Sequence, residues 1–447
     1  MKGEGLGVGN ETNPQSVEQG GVVHGFLKHV IDVRPAELRA LGWSWLYIIS
    51  VFISYYILRP IRDEMGVAGG VENLPWLFTG TLLGMMAVNP PYAALVARLP
   101  RVKFISLTYR FFAVNLLLFV LLLQLMSGEQ GIWLGRLFFI WASIYNLFVV
   151  SVFWALMVDV FDSEQSKRLF GFIAAGATIG GIMGSSLTAA LAKQVPAAYL
   201  LLTSAILLEV AVFCVRRLSR LSSTLATKPT GQPEERAIGG SVLSGLSHAL
   251  KSPYLINVSI FLLLFAITST FLYFQQAEIA KKYFADRGAR TAFFAQVDLW
   301  VNVLTLGAQL FITARTIKRI GVALTLALLP LLSIFGFGTL AWTPTIATLV
   351  AFQVLRRAGN FAFARPTREV LFTVVPREDK YKAKSFIDTV VYRLGDQVGA
   401  WSYAGLGALG LAMTGVSVVA VPISIVWLVN SLWLGRKQKA LEAAAIG

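Results

Sequence analysis

The 447-residue chain has one cysteine, three histidines and only 14% charged residues. The lone Cys214 excludes an intramolecular disulfide framework. Two of the histidines, His24 and His29, sit in a polar N-terminal segment, so no metal site or catalytic constellation has recognisable spacing. No glycine-rich phosphate loop is present, so the chain is not in itself a nucleotide-driven pump. These absences point away from an enzyme and leave no cofactor or metal to expect. Residues 1–40 are too polar for a cleaved signal peptide.

What the chain has in excess is apolar sequence. Hydrophobic residues make up 56% and the mean hydropathy is +0.66, values of an integral membrane protein and not of a soluble domain. The net charge of +15 would suit nucleic acid, but the basic residues fall in short loops between apolar runs, where they report orientation. The lipid bilayer is therefore the expected partner, with no nucleic acid, and the chain a monomer or weak oligomer.

A spanning helix needs roughly 20 mostly apolar residues. Such runs begin near Leu41, Pro75, Phe104, Trp133, Leu169, Ala198, Tyr254, Thr291, Gly321, Pro344, Lys384 and Gly415. The expected fold class is an all-α membrane protein of about twelve transmembrane helices. The N-terminal segment, the even-numbered loops and the tail hold 25 lysines and arginines, against eight in or near the opposite loops. Both termini are expected to face the cytoplasm, in a cell inner membrane.

The two halves repeat one another. Ser54 and Ser269, Asp63 and Glu278, Glu164 and Asp379, Lys167 and Lys382, Gly180 and Gly395, and Gly184 and Gly399 are all 215 residues apart. This is the pattern of two six-helix halves related by an axis along the membrane normal, the major-facilitator type, with a substrate path between the halves. The expected domains are an N-terminal segment (1–40), a six-helix half (41–217), a linker (218–252), a second half (253–435) and a tail (436–447). Gly176, Gly180 and Gly184, and Gly395 with Gly399, have the four-residue spacing of close helix packing.

Ionisable residues inside apolar runs are costly and mark function. They are Arg110, Asp159, Glu209, Asp298, Arg356, Arg357, Arg365, Arg368, Glu369, Asp388, Arg393 and Asp396, with Arg59, Arg62, Asp63 and Glu278 at run ends. Arg110 is close enough to its helix start to snorkel, and Glu209 is expected to pair with Arg216 and Arg217. Arg356 and Arg357 are adjacent, so at most one should face a cavity squarely. Arg365, Arg368, Glu369 and Asp388 read as a gate network, and Arg393 shares a helix face with Asp396. Arginines here suit an anionic substrate, because the guanidinium fork matches carboxylate or phosphate. Tyr55, Tyr56, Trp141, Tyr145, Trp154 and Trp401 are candidates for stacking a ring, with interfacial anchoring as the alternative.

Four segments resemble the ATP:ADP antiporter family, the non-mitochondrial nucleotide transporters. Tyr56–Val67, YILRPIRDEMGV, is similar to that family's first-helix motif, with Arg62 in place of a lysine and Asp63 kept. Trp141–Asp159 ends in FWALMVD, with Asp159 near an acidic position of the family, and Glu278 in AEIAKKYF resembles its seventh-helix glutamate. Arg365–Ala400 is similar in order and spacing, but Asp396 stands where the family has lysine, Arg365 where it has aspartate and Asn360 where it usually has lysine.

The resemblance implies an alternating-access secondary transporter of an organic anion, with a nucleotide or another phosphorylated metabolite as the candidate. The expected substrate residues are Arg59, Arg62, Asp63, Asp159, Glu278, Arg393 and Asp396. A proton-coupled exporter of drugs or small metabolites, with Asp159, Glu278 or Asp396 titrating, is the alternative.

Overall fold

The computed structural model describes residues 33–225, 252–375, 383–384 and 386–446. Most of the expected N-terminal segment and linker, and residues 376–382 of the tenth loop, lie outside the described residues. The chain forms α1 (Leu38–Ala68), α2 (Leu74–Arg98), α3 (Arg101–Leu125), α4 (Gly128–Val160), α5 (Ser163–Leu191) and α6 (Ala197–Leu225). After the linker come α7 (Pro253–Tyr283), α8 (Arg287–Phe311) and α9 (Thr313–Trp342). α10 joins Ile346–Gly359, a π-helical turn at Asn360–Ala364 and Arg365–Leu371. α11 passes through a second π turn, Ile387–Val391, into Tyr392–Ala408, and α12 is Met413–Ile446.

Each apolar run thus has its helix. The ninth run begins at Gly321 as expected: φ there is 75°, which breaks α9 and sets residues 313–320 apart as a short helix leading into it. Among the described residues nine helices are long and apolar enough to cross a membrane. The remaining three are α2, with its Pro90–Pro91 pair, and the π-interrupted α10 and α11. The π turns divide α10 and α11 into pieces of 14 and 17 residues at most, each shorter than a full span.

α1 packs against α4, α5 and α6, and α3 against α6; in the second half α7 packs on α11 and α12, and α9 on α12. The halves meet where α1 and α5 lie on α8 and where α2 lies on α11. Lipid offers little hydrophobic drive for helix association, so close van der Waals fit carries much of it. The glycines supply that fit between α5 and α1 and between α11 and α7. A Cβ at Gly180 or Gly184 would stand 2.9 and 2.7 Å from the carbonyl oxygens of Ile49 and Ile53 in α1. A Cβ at Gly395 or Gly399 would stand 3.1 Å from those of Leu263 and Ile267 in α7.

These contacts correct the repeat by one residue. The glycines are 215 apart, but Ile49 and Leu263, like Ile53 and Ile267, are 214 apart. Within α1 and α7 the counterpart of Glu278 is therefore Glu64, not Asp63, and Ser54 corresponds to Thr268. A one-residue slip turns a helix by about 100°, so the register decides which acid faces the path.

Among the described residues, the ion pairs that join the halves lie in the second part of α1 or beyond it. They are Arg59 with Asp298, Glu64 with Arg287 and Arg290, and Glu72 with Lys281. On the face bearing the chain ends, the ion pairs among the described residues stay within one half: Arg34 with Glu164, Glu37 with Arg168, Arg101 with Asp159, Arg368 with Asp388 and Glu369 with Lys384. Electrostatic closure is thus concentrated on the face opposite the termini.

Candidate functional site

Between the halves lies a cavity of about 300 Å³, at the lower end of the range for small-molecule sites. α1, α2 and α4 line it from one side and α7, α10 and α11 from the other. Five arginines reach it: Arg59, Arg62, Arg356, Arg357 and Arg393. The carboxylates beside them are Asp396 in the lining, Asp63 paired with Arg62, and Asp298 paired with Arg59 and Arg357. Five cations against three anions leave the cavity two charges positive.

Each arginine is held differently. Arg62 donates from Nη2 to Asp63 Oδ1 at 2.6 Å and lies over the Phe139 ring, 5.0 Å from its centroid. The same Asp63 oxygen accepts from the Tyr273 hydroxyl of α7 at 2.9 Å, which joins the halves. Arg393 donates to Asp396 Oδ2 at 3.2 Å, one turn along α11. Arg59 and Arg357 both approach Oδ1 of Asp298, at 3.1 and 2.7 Å. Arg356 has no carboxylate partner among the described residues. It is 2% exposed and donates to Ser333 Oγ at 3.0 Å, Ser269 Oγ at 2.8 Å and Thr268 Oγ1 at 2.7 Å. A cation satisfied by neutral acceptors keeps its charge unneutralised, which favours an anion nearby.

Of the residues expected from sequence, Arg59, Arg62, Arg393 and Asp396 line this cavity, with Asp63 directly behind Arg62. Asp159 stands apart, paired with Arg101 where α4 ends and α3 begins. Glu278 is also separate, accepting from the Tyr403 hydroxyl at 2.8 Å in a second pocket with Glu72, Lys281 and Lys282. The expected gate residues tie α10 to α11 within one half through Arg368–Asp388 and Lys384–Glu369. In this conformation they staple two helices of the same bundle. Arg365 is exposed and takes no part in these pairs.

Other expectations change too. Arg356 and Arg357 both reach the cavity, because Arg356 lies along α7 while Arg357 turns to α8. Glu209 pairs with Arg110 across α3 and α6, at 3.2 Å, rather than with Arg216 and Arg217. Trp141 and Tyr145 stack on each other inside the first-half core, and Trp401 packs edge-on against Trp76. The aromatic rings that do line the cavity are Phe78, Phe139, Phe265, Tyr273, Phe361 and Tyr392. Of the polar liners, Asn360 was marked by the family likeness, whereas Asn146 carries no charge to single it out and is signalled only by its offset of 214 from Asn360.

Comparison with known proteins places this geometry. Among solved structures the chain resembles a bacterial homologue of the human lysosomal transporter Spinster in an inward-facing, unoccupied conformation, with a TM-score of 0.59, 14% identity, and 91% of this chain and 99% of the other covered. It also resembles the POT family transporter PepTSo, with a TM-score of 0.60, 14% identity, and 90% and 98% covered. Both likenesses identify the fold as the major-facilitator type of two six-helix bundles. In sequence it is 20% identical to ADP,ATP carrier protein 2 of Chlamydia pneumoniae, covering 90% of this chain and 89% of the relative. It is 22% identical to ADP,ATP carrier protein 1 of Chlamydia trachomatis, covering 92% and 93%. The TLC ATP/ADP transporter family matches residues 123–438, a stretch that runs from the end of α3 to α12. A helix-lined, arginine-rich cavity between two six-helix bundles thus belongs to a membrane carrier, and this chain is a member of the TLC ATP/ADP transporter family.

Proposed function

We propose that the protein exchanges adenine nucleotides, ATP against ADP, by alternating access across a cell inner membrane, with both termini in the cytoplasm. The observation that carries this reading is the convergence of five arginines from both halves on one cavity with only three carboxylates. Guanidinium groups bind phosphate oxygens in a planar, two-pronged fashion, and the lining rings offer faces on which a base can stack. The names of the chlamydial relatives agree with such a substrate.

In this reading Arg62 and Arg393 contact the phosphates from opposite halves. Asp63 orients Arg62, whereas Asp396, standing where the family has lysine, offsets part of the charge of Arg393 beside it. Closure opposite the termini makes the described conformation one that opens to the cytoplasm. The protein acts as a carrier, as a monomer or weak oligomer, and performs no covalent chemistry.

The test is uptake of radiolabelled ATP into proteoliposomes loaded with ADP. Saturable uptake that unlabelled ADP competes is the expected result. Absence of uptake with every nucleotide tried, in protein that is folded and inserted, would remove the nucleotide assignment.

A further inference from the structure

Asp298 was not among the expected substrate residues, and it does not line the cavity, yet two of the lining arginines converge on it. Arg59 comes from α1 in the first half, whereas Arg357 on α10 and Asp298 on α8 both belong to the second. Asp298 is 2% exposed, and both arginines use its Oδ1 while its Oδ2 is buried with no hydrogen-bond partner. The link to Arg59 is 3.1 Å long and the link to Arg357 is 2.7 Å.

These two links have different fates when the halves move. Arg357 and Asp298 travel together, so their pair survives any rocking of one bundle against the other. The Arg59–Asp298 pair spans the halves and has to break when the face opposite the termini opens. Separating it in an empty carrier leaves Arg59 as a buried cation without a counter-charge, which is strongly unfavourable. With an anion in the cavity Arg59 has another partner, and the same movement leaves no bare charge.

Resting on the assignment of an anionic nucleotide substrate, we propose that Asp298 is the internal counter-anion of the empty carrier. It clamps Arg59 across the halves, and only a bound anion releases the clamp, so that the protein exchanges substrates and does not carry them singly. Asp298 is on this account a positioning residue that acts through Arg59. A ligand can shift a conformational equilibrium only by its differential affinity for the two states; exchanging Asp298 for substrate at Arg59 supplies that difference.

The experiment compares ATP uptake into ADP-loaded and empty proteoliposomes for wild type, Asp298→Asn and Asp298→Glu. Wild type should show uptake at least about tenfold higher in loaded vesicles, a difference of about 1.4 kcal/mol in effective barrier. Asp298→Asn should bring the ratio near one by raising uptake into empty vesicles, and Asp298→Glu should restore it. A wild-type ratio in Asp298→Asn would overturn the proposal, as would loss of uptake in both vesicle types with nucleotide binding retained.

A second measurement is independent of which anion is carried. Spin labels at Gln130, at the start of α4, and Leu409, just past α11, sit on the face opposite the termini in different halves; both sites are exposed. In a Cys214→Ser background without ligand, Asp298→Asn should add a longer-distance population that wild type lacks. An unchanged distance distribution overturns the clamp even if no nucleotide is transported, whereas failed uptake by wild type alone counts against the substrate assignment.

Discussion

Arg290 at the start of α8 donates to Glu64 near the end of α1 at 3.0 Å, and Arg287 donates to the same carboxylate at 3.0 and 3.2 Å. Glu64 is 3% exposed, so two cations of the second half enclose one anion of the first. This is the main electrostatic closure of the face opposite the termini. Glu64 is also the counterpart of Glu278 once the repeat is aligned by backbone contact.

Removing the anion from a buried pair strands its partner, at a cost of about 3–5 kcal/mol. Glu64→Gln should fall toward the low end, because Arg287 is half exposed and can turn to water. The variant should open the far face more often. A cysteine placed at Ser143 in the cavity, in a Cys214→Ala background, should then react with an impermeant thiol reagent from that face at least about tenfold faster, a ratio that needs only about 1.4 kcal/mol of that cost to favour opening. An unchanged labelling rate would show that closure resides elsewhere.

The cavity's charge excess makes opposite predictions for the two members of the Arg393–Asp396 pair. Arg393→Ala removes a cation and frees a carboxylate to repel the substrate, so KM for ATP should rise by more than about tenfold, the effect of losing one charge-assisted contact of about 1.5–3 kcal/mol. Asp396→Asn removes the competing anion and should lower KM. Arg62→Ala should abolish uptake while leaving expression normal. Parallel changes in KM for Arg393→Ala and Asp396→Asn would contradict an anion site there.

The glycine seams predict stability effects. At Gly395 a Cβ would come within 2.5 Å of the Ala266 Cβ, and at Gly399 within 3.0 Å of the Ile267 Cα. Gly399→Leu should force α11 off α7 and lower the melting temperature, by an overpacking cost of about 1–3 kcal/mol. At Gly307 an added Cβ would meet nothing within 4 Å, so Gly307→Leu should leave the melting temperature almost unchanged and serves as the control.

Glu37, just before α1, gives a pH prediction. Burial pushes its pKa up, but hydrogen bonds from Arg168, the Arg34 backbone N–H and Gln165 together hold it below the ordinary value near 4.5. A carboxyl whose folded-state pKa is depressed contributes stability above its unfolded pKa and loses it as pH falls through the folded value. Glu37→Gln should therefore melt below wild type at pH 7, and the gap should close on acidification below about 4.5. A gap that is constant with pH would mean that Glu37 acts by packing alone.

Much of the architecture was legible from residue order. The twelve runs, the repeat and the clustering of arginines in α1, α10 and α11 follow from local hydropathy and charge, because each segment's affinity for the bilayer is set by its own side chains. The family motifs at Tyr56–Val67 and Arg365–Ala400 pointed to Arg62 and Arg393. The same family likeness also pointed to Asp159 and Glu278, which belong to other neighbourhoods. Nothing local separates these cases, since all four are charged residues near the ends or middles of apolar helices.

Residue order alone settles the membrane class, the number of helices and the list of charges that have to be satisfied inside them. Which charges meet is settled when the helices pack. Arg59 and Asp298 are 239 residues apart, and their pairing depends on how α1 lies against α8, where α5 packs on both and a Cβ at its Gly181 would crowd Tyr56 of α1 and Asn302 of α8. The same packing shifted the repeat by one residue and exchanged Asp63 for Glu64 as the partner of Glu278. A helix face is set by angles of about 100° per residue, and only the packed bundles fix that angle for every helix at once.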